Sequence, residues 1–319
     1  PNYESRIVMA EITASMVKEL RERTQAGMSD CKSALVEAGG DMEKAVEVIL
    51  KKGLVKAAAR AGRVASEGEV RTNVTADGKR GTIVEVNCQT DFVSRGEEFK
   101  SFVGKVLEVA SKLPKGGDLL AAKFPGTDQT VEDARKAMVG KTGENTVVRR
   151  WDMVEARGAH GLVHAYVHMG GKLAVLIEAE APHAEGKTNE QFKNFVDNSA
   201  MQIAAMSPMV VKKDSIEAHH VEKQKEIYAA QLKEEGKPEQ AWPKIIEGKV
   251  NKWFTEVTLL GQESVTDPGK TVDAIKNDLS KALGGDVHIH GFIRYGLGEG
   301  VETGPKDDLA AEVAKMTGG

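Results

Sequence analysis

Three Gly-Lys-Thr tripeptides, at 140, 186 and 269, are the first residues whose order could hold a nucleotide phosphate. A P-loop needs a glycine five positions before that tripeptide, so that successive backbone N–H groups wrap the phosphates. Those positions hold Arg135, Ala181 and Ser264. None of the three is a P-loop, which argues against nucleotide hydrolysis by this chain. His160, His164 and His168 have the four-residue spacing that suits a metal on a helix, but Val163, Ala165 and Val167 alternate between them as in a strand. At ~3.3 Å per residue, positions i and i+4 of a strand lie ~13 Å apart, too far for one ion. These histidines, like His288 and His290, read as sheet-face or surface residues. His219-His220 reads as part of a solvated helix. His183-Ala184-Glu185 lacks the Pro-Cys-x-x-Cys that would make it a deaminase site, and no Gly-x-Ser-x-Gly or dinucleotide fingerprint occurs. Cys31 and Cys88 form neither a metal-type pair nor a disulfide framework. No metal and no cofactor is expected, and a reducing cytoplasm is the simplest compartment.

Two stretches then remain for binding. Lys51, Lys52, Lys56, Arg60 and Arg63 are basic, with Lys52, Lys56 and Arg60 at i, i+4 and i+8. They are either a solvated helix face or an RNA- or ribosome-contacting patch, although no aromatics interleave them. The other stretch is Cys88-Gln89-Thr90-Asp91-Phe92-Val93-Ser94-Arg95-Gly96-Glu97, read as an exposed loop between a strand and a helix, with an aromatic in a polar turn. Phe92 is there either folded back as core or displayed as an anchor for a partner, and the residues alone leave both open.

The elements that position these residues follow from period and punctuation. Residues 12–62 read as three helices: Thr13 caps the first, with Val17 and Leu20 apolar. Ser29 caps the second, with Ala34, Leu35 and Ala38, stopped by Gly39-Gly40. Asp41 caps the third, with Ala45, Val48 and Ile49. The period then switches to strands at 68–74 and 81–88 around the turn Asp77-Gly78. A helix follows, with Phe99, Phe102, Val103, Val106 and Leu107 apolar, ending near Pro114. The same unit recurs as a hairpin over 161–179 and a helix ending at Pro208. Phe99-Lys100-Ser101-Phe102-Val103 matches Phe192-Lys193-Asn194-Phe195-Val196. The expected class is therefore α+β, with two duplicated subdomains of helices on antiparallel sheet.

Residues 214–254 turn polar and helical, with Val221, Ile227 and Leu232 on one side and a break at Gly236-Lys237-Pro238. They read as a protruding helical hairpin and a candidate surface for self-association into a homodimer. Strands are expected at 256–260 and 287–295, and a C-terminal amphipathic helix at 307–316. The expected boundaries are a leader at 1–8, a helical module at 9–62, subdomains at 63–160 and at 161–213 with 255–300, the hairpin at 214–254, and a C-terminal helix within 301–319. Length fits this division, since 319 residues exceed one compact core. With 40% hydrophobic and 29% charged residues the chain reads as a soluble globular protein. A net charge of −4 gives no general pull towards nucleic acid or anionic membrane. No apolar run approaches the roughly 18 residues of a membrane span.

These motifs resemble the translation elongation factor Ts family. Asn87-Cys88-Gln89-Thr90-Asp91-Phe92-Val93 is similar to its central signature. Leu20-Arg21-Glu22-Arg23-Thr24 with Gly27-Met28-Ser29-Asp30-Cys31-Lys32-Ser33-Ala34-Leu35 is similar to its N-terminal one. Gly143-Glu144-Asn145, Arg149-Arg150, Gly261-Gln262, Gly291-Phe292-Ile293-Arg294-Tyr295, Gly298-Glu299-Gly300 and Ala310-Ala311-Glu312-Val313 extend the match collinearly. The resemblance implies a non-enzymatic guanine-nucleotide exchange factor for the GTPase elongation factor Tu. It also implies that the N-terminal module is ubiquitin-associated-like and the hairpin a coiled coil. As partner-binding residues it implies Thr90, Asp91, Phe92 and Val93, with Arg21, Met28 and Asp30 in the N-terminal module. Gln202 in the second subdomain and Ala310 and Val313 in the C-terminal helix complete that set. The chain departs from the family pattern at Gln25, Ser29, Gln202, Glu263 and Ser264, which puts the contacts near Met28–Asp30 and Gln202 in question.

Overall fold

The computed structural model describes residues 12–24 and 26–302, and the leader and C-terminal helix expected at 1–8 and 307–316 lie outside that range. Helices α1 (Ala14–Thr24), α2 (Met28–Glu37) and α3 (Met42–Arg60) open the chain. The Thr13 hydroxyl accepts from Met16 N at 3.3 Å, and Asp41 accepts from Lys44 N. Ser29 is not a cap: it lies inside α2, whose N-cap is Gly27, two residues earlier, with no side-chain bond there. The three helices share one core of Val17, Leu20, Ala26, Cys31, Ala34, Leu35, Ala45 and Ile49.

Strands β1 (Glu67–Val74) and β2 (Arg80–Cys88) lead into a five-residue helix α4 (Asp91–Arg95), then α5 (Glu97–Lys112), α6 (Val131–Thr142) and β3 (Thr146–Glu155). The second series is β4 (Gly161–His168), β5 (Leu173–Glu180), short α7 (Ala184–Thr188) and α8 (Glu190–Met206). After it come α9 (Ala218–Glu234), α10 (Trp242–Val257), α11 (Val272–Leu283) and β6 (His288–Gly296). The sheet orders are β1-β2-β3 and β4-β5-β6. β4 pairs antiparallel with β5 from Gly161 against Glu180 to His168 against Leu173. In both sheets the middle strand is buried nearly throughout, and successive residues alternate between faces, so it is covered on both.

The two series run in the same order: hairpin, five-residue helix, long helix, further helix, third strand. The approach to the fourth member is also repeated. Val131 N bonds Ala122 O and Glu132 N bonds Leu120 O, while Val272 N bonds Gln262 O and Asp273 N bonds Leu260 O. The second series alone carries α9 and α10 between its long helix and this approach.

The described residues divide into two compact units: 12–71, Val84–Asp152 and 296–302 form one, and Thr72–Ile83 with Met153–Tyr295 the other. The first unit packs Val84, Val86 and Cys88 of β2 against Phe99, Phe102, Val103, Val106 and Leu107 of α5. Behind β2, Glu85 is fully buried and accepts from Arg149 at 2.9 Å, Arg150 at 2.5 Å and Gly298 N at 2.8 Å. Gly298 sits at φ +71°, and a Cβ there would lie 2.6 Å from Ser66 O, so this bond needs glycine. The second unit packs Val175, Ile177 and Ala179 against Phe192, Phe195, Val196 and Ile203.

Two further expectations are corrected. The strand expected at 256–260 is helical as far as Val257. Only an isolated parallel bridge, Val210 to Thr258, follows, because the helix begun at Trp242 carries through the β-branched run. The segment read as a loop at Asp91 is a capped helical turn.

Candidate functional site

β2 ends at Cys88, and the chain turns immediately into α4. Thr90 is the N-cap: its backbone is extended (φ −123°, ψ 155°) and its hydroxyl accepts from Val93 N. Ser94 N bonds Thr90 O at 3.3 Å, and Gly96 N closes the turn on Val93 O at 3.0 Å. Val93 packs against the α5 core, whereas Phe92 is 85% exposed, the most open large apolar side chain among the described residues. The ring is therefore displayed and not folded back into the core. Asp91 forms an exposed i,i+4 ion pair with Arg95 at 2.8 Å.

The base of this turn is fastened from a distant segment. Glu144 takes Thr90 N on one oxygen at 3.0 Å and the Thr90 hydroxyl on the other at 2.6 Å. Asn145 N donates to Gln89 Oε1 at 2.8 Å, and its amide donates to Arg63 O at 2.9 Å. Gln89, Glu144 and Asn145 are neighbours of the turn to which sequence reasoning assigned no role of their own. The resemblance marked Gly143-Glu144-Asn145 without a role, and pairing across 54 residues leaves no local signal.

The other expected site residues are dispersed. Arg21 is exposed on α1, at the rim of a 290 Å³ cleft walled by Phe102, Phe124 and Met138. Met28 opens α2 at 46% exposure, and Asp30 lies in the same first turn. Gln202 is corrected from a surface contact to an interior one. It is 1% exposed, its amide donates to Gln262 at 3.0 Å and to Glu263 O at 3.1 Å, and its oxygen accepts from Val265 N at 2.8 Å. It shapes a surface that carries Val265 and Met206, exposed at 45% and 50%. Ala310 and Val313 lie outside the described residues.

The remaining chemistry-bearing residues have structural partners. The Gly-Lys-Thr tripeptides fall at helix ends: Thr142 closes α6, Thr188 closes α7, and Thr271 caps α11. His164 bonds Asp197 at 2.8 Å, His168 bonds Tyr166 at 3.0 Å, and His183 caps α7. His290 sits on Glu180 at 2.9 Å and holds that carboxyl below its ordinary value. Glu217, His219 and His220 bring three exposed ligand atoms within 4.8 Å of one another at the start of α9. In the basic stretch, Lys52 is committed to Glu37 at 2.6 Å and Lys51 to Glu47 at 3.6 Å, while the Lys56 side chain lies outside the described residues. Among the described residues no helix is long and apolar enough to cross a membrane.

Comparison with known proteins agrees on one family. The family model described as Elongation factor TS matches residues 89–299, from the residue before Thr90 to the Gly298-Glu299 turn. An Elongation factor Ts from a Nitratiruptor species is 48% identical over 304 residues, covering 95% of this chain and 98% of that protein. One of Clostridium perfringens is 44% identical over 309 residues, with 96% and 99% covered. One of Parvibaculum lavamentivorans is 42% identical over 317 residues, with 98% and 100% covered.

Proposed function

Because this chain belongs to the elongation factor Ts family, which serves translation elongation, we propose that it binds the GTPase elongation factor Tu and promotes GDP release by pressing the Asp91-Phe92 turn against the partner's phosphate and magnesium site. The observation that carries this reading is an aromatic ring 85% exposed on a turn whose base is locked by hydrogen bonds. An exposed ring on a rigid base is what an interfacial anchor requires, since little ordering entropy is spent when it docks.

Exchange of this kind needs no bond chemistry. A GTPase of this class holds its nucleotide through backbone N–H groups of a P-loop and a magnesium ion, so a small displacement there weakens nucleotide binding. Phe92 supplies the intruding volume, Asp91 a polar contact beside it, and Thr90 and Val93 the capped and packed ends of the turn. Arg21, Met28 and Asp30 grip the GTPase domain from the N-terminal helices, which this reading treats as a ubiquitin-associated-like module. The surface shaped by Gln202 and the segment with Ala310 and Val313 brace the rest of the partner. Coupling is reciprocal, so whatever factor the chain takes from GDP affinity, GDP takes from the affinity of the chain for its partner.

That reciprocity gives the test. The chain should co-purify with nucleotide-free elongation factor Tu and be released by excess GDP. Retention that is indifferent to GDP, or no retention at all, contradicts the proposal. The basic stretch at 51–63 gains no support as a nucleic-acid site, since two of its lysines are already in ion pairs.

A further inference from the structure

We infer that Glu144 and Asn145 are positioning residues for nucleotide exchange, holding the Phe92 turn rigid and in register with the end of the N-terminal helices. The inference rests on the exchange reading and deepens it. α4 has five residues and none of them is buried. A helix of one turn is not stable on its own, because nucleation fixes several dihedrals for one or two hydrogen bonds. A ring displayed on such a turn would move freely unless something outside the turn held it.

Glu144 is placed to do so. Its two oxygens take both donors of Thr90, the backbone N–H and the hydroxyl, at 3.0 and 2.6 Å. Because the hydroxyl donates its hydrogen bond to the carboxylate, a lone pair of the same oxygen is left to accept from Val93 N, which is the capping bond of α4. The carboxylate therefore sets the orientation in which Thr90 can cap, and charge-assisted bonds of this kind are the strong ones. Asn145 adds a second fastening, since its N–H holds Gln89 at 2.8 Å and its amide holds Arg63 O at 2.9 Å. Arg63 lies three residues beyond α3, and α3 packs along α6, closely enough that a Cβ on Gly53 would meet Lys136 O at 3.5 Å. Gly143, at φ +77°, lets the chain leave α6 sharply enough to bring Glu144 and Asn145 to these partners. Gly143-Glu144-Asn145 thus touches both the base of the turn and the exit of α3, which shares its core with the helices that carry Arg21 and Met28.

The experiment is release of a fluorescent GDP analogue from elongation factor Tu as the full-length chain is titrated, read as a maximal rate and a half-saturating concentration. Glu144→Ala should lower the maximal rate about tenfold and move the half-saturating concentration by less than about twofold. Thr90→Ser, which keeps the hydroxyl, should stay within about twofold of the parent, and Thr90→Val should fall with Glu144→Ala. The deciding comparison is a double-mutant cycle: Phe92→Ala with Glu144→Ala should be no slower than Phe92→Ala alone, because Glu144 acts through that ring. If Glu144→Ala does not fold, Glu144→Gln keeps the size and one acceptor and should lose roughly threefold, again only when Phe92 is present. Independent, additive losses overturn the inference, as does an unchanged maximal rate in Glu144→Ala while Phe92→Ala slows exchange. Exchange unaffected by Phe92→Ala itself removes the wedge reading as well, and so separates the two failures.

Discussion

Two phenylalanines seven positions apart should respond in opposite ways to truncation. Phe92 is 85% exposed on α4, while Phe99 is 1% exposed in the core that joins α5 to β2. Phe92→Ala removes almost no packing from the free chain, so its stability should move by less than about 0.5 kcal/mol. Against a partner the same ring has its whole side chain left to bury, which contributes about 1.5–3 kcal/mol. At about 1.4 kcal/mol per tenfold, exchange at limiting concentration should then fall roughly 10- to 100-fold. Phe99→Ala should instead cost about 3–5 kcal/mol of stability, with the transfer and cavity terms added. The fraction that stays folded should exchange near the parent rate. Thermal unfolding followed by circular dichroism and release of a fluorescent GDP analogue from elongation factor Tu separate the two outcomes. The reasoning is refuted if Phe92→Ala unfolds like Phe99→Ala, or if it stays folded and exchanges at the parent rate.

The remaining predictions concern the frame around the site. Glu85→Ala leaves Arg149 and Arg150 without their shared buried carboxylate and should cost about 3–5 kcal/mol in denaturant unfolding; a loss no larger than that of an exposed glutamate such as Glu97 would contradict the assigned role. Glu132 is held below its ordinary carboxyl value by the Arg135 guanidinium, which donates to both its oxygens at 2.6 and 2.7 Å. Because the folded value is the lower one, this stabilisation is complete above the unfolded value and is lost as pH falls through the folded value. The melting-temperature gap between parent and Glu132→Gln should accordingly be constant near neutrality and close below about pH 4; a gap that widens in acid has the wrong sign. Cys31 and Cys88 are both buried, and burial pushes the Cys31 thiol up from its ordinary value. A thiol reagent at neutral pH should label neither until the chain unfolds, and prompt labelling of the native chain would show that this core opens.

How far the fold could be read from residues alone depended on how local each signal was. The helices at Val17–Leu20 and Phe99–Leu107 and the hairpin at Gly161–Glu180 announce themselves through period and glycine or proline punctuation, and they occur where expected. Helix α11 was not among the expected elements although it carries equally local signals, Thr271 before it and Gly284 after it, with Val272, Ile275 and Leu279 at helical spacing. Helix α6 is harder, since charged residues interrupt its apolar positions and its burial comes from α3 and from the core between β2 and α5, both distant in sequence. The strand expected at 256–260 failed because β-propensity is a weak preference beside continuation of an established helix.

At the site, Thr90 could have been read as a cap from its place before Asp91, and the turn read as loop was a helix start with its acidic residue in the first turn. Whether Phe92 faces in or out could not be read, because that depends on which residue of the turn the α5 core accepts, and it accepts Val93. Gln202 shows the converse: a polar residue on an amphipathic helix reads as surface, yet Gln262, Glu263 and Val265, about sixty positions on, take it inside.

The central claim is that this chain accelerates GDP release by binding, and the rate of that release measures it most directly. Elongation factor Tu loaded with a fluorescent GDP analogue is mixed with an excess of unlabelled nucleotide and increasing amounts of the full-length chain. The account predicts a release rate that climbs with chain concentration and saturates, with excess GDP dissociating the complex formed at saturation. A release rate that does not change with chain concentration would contradict it.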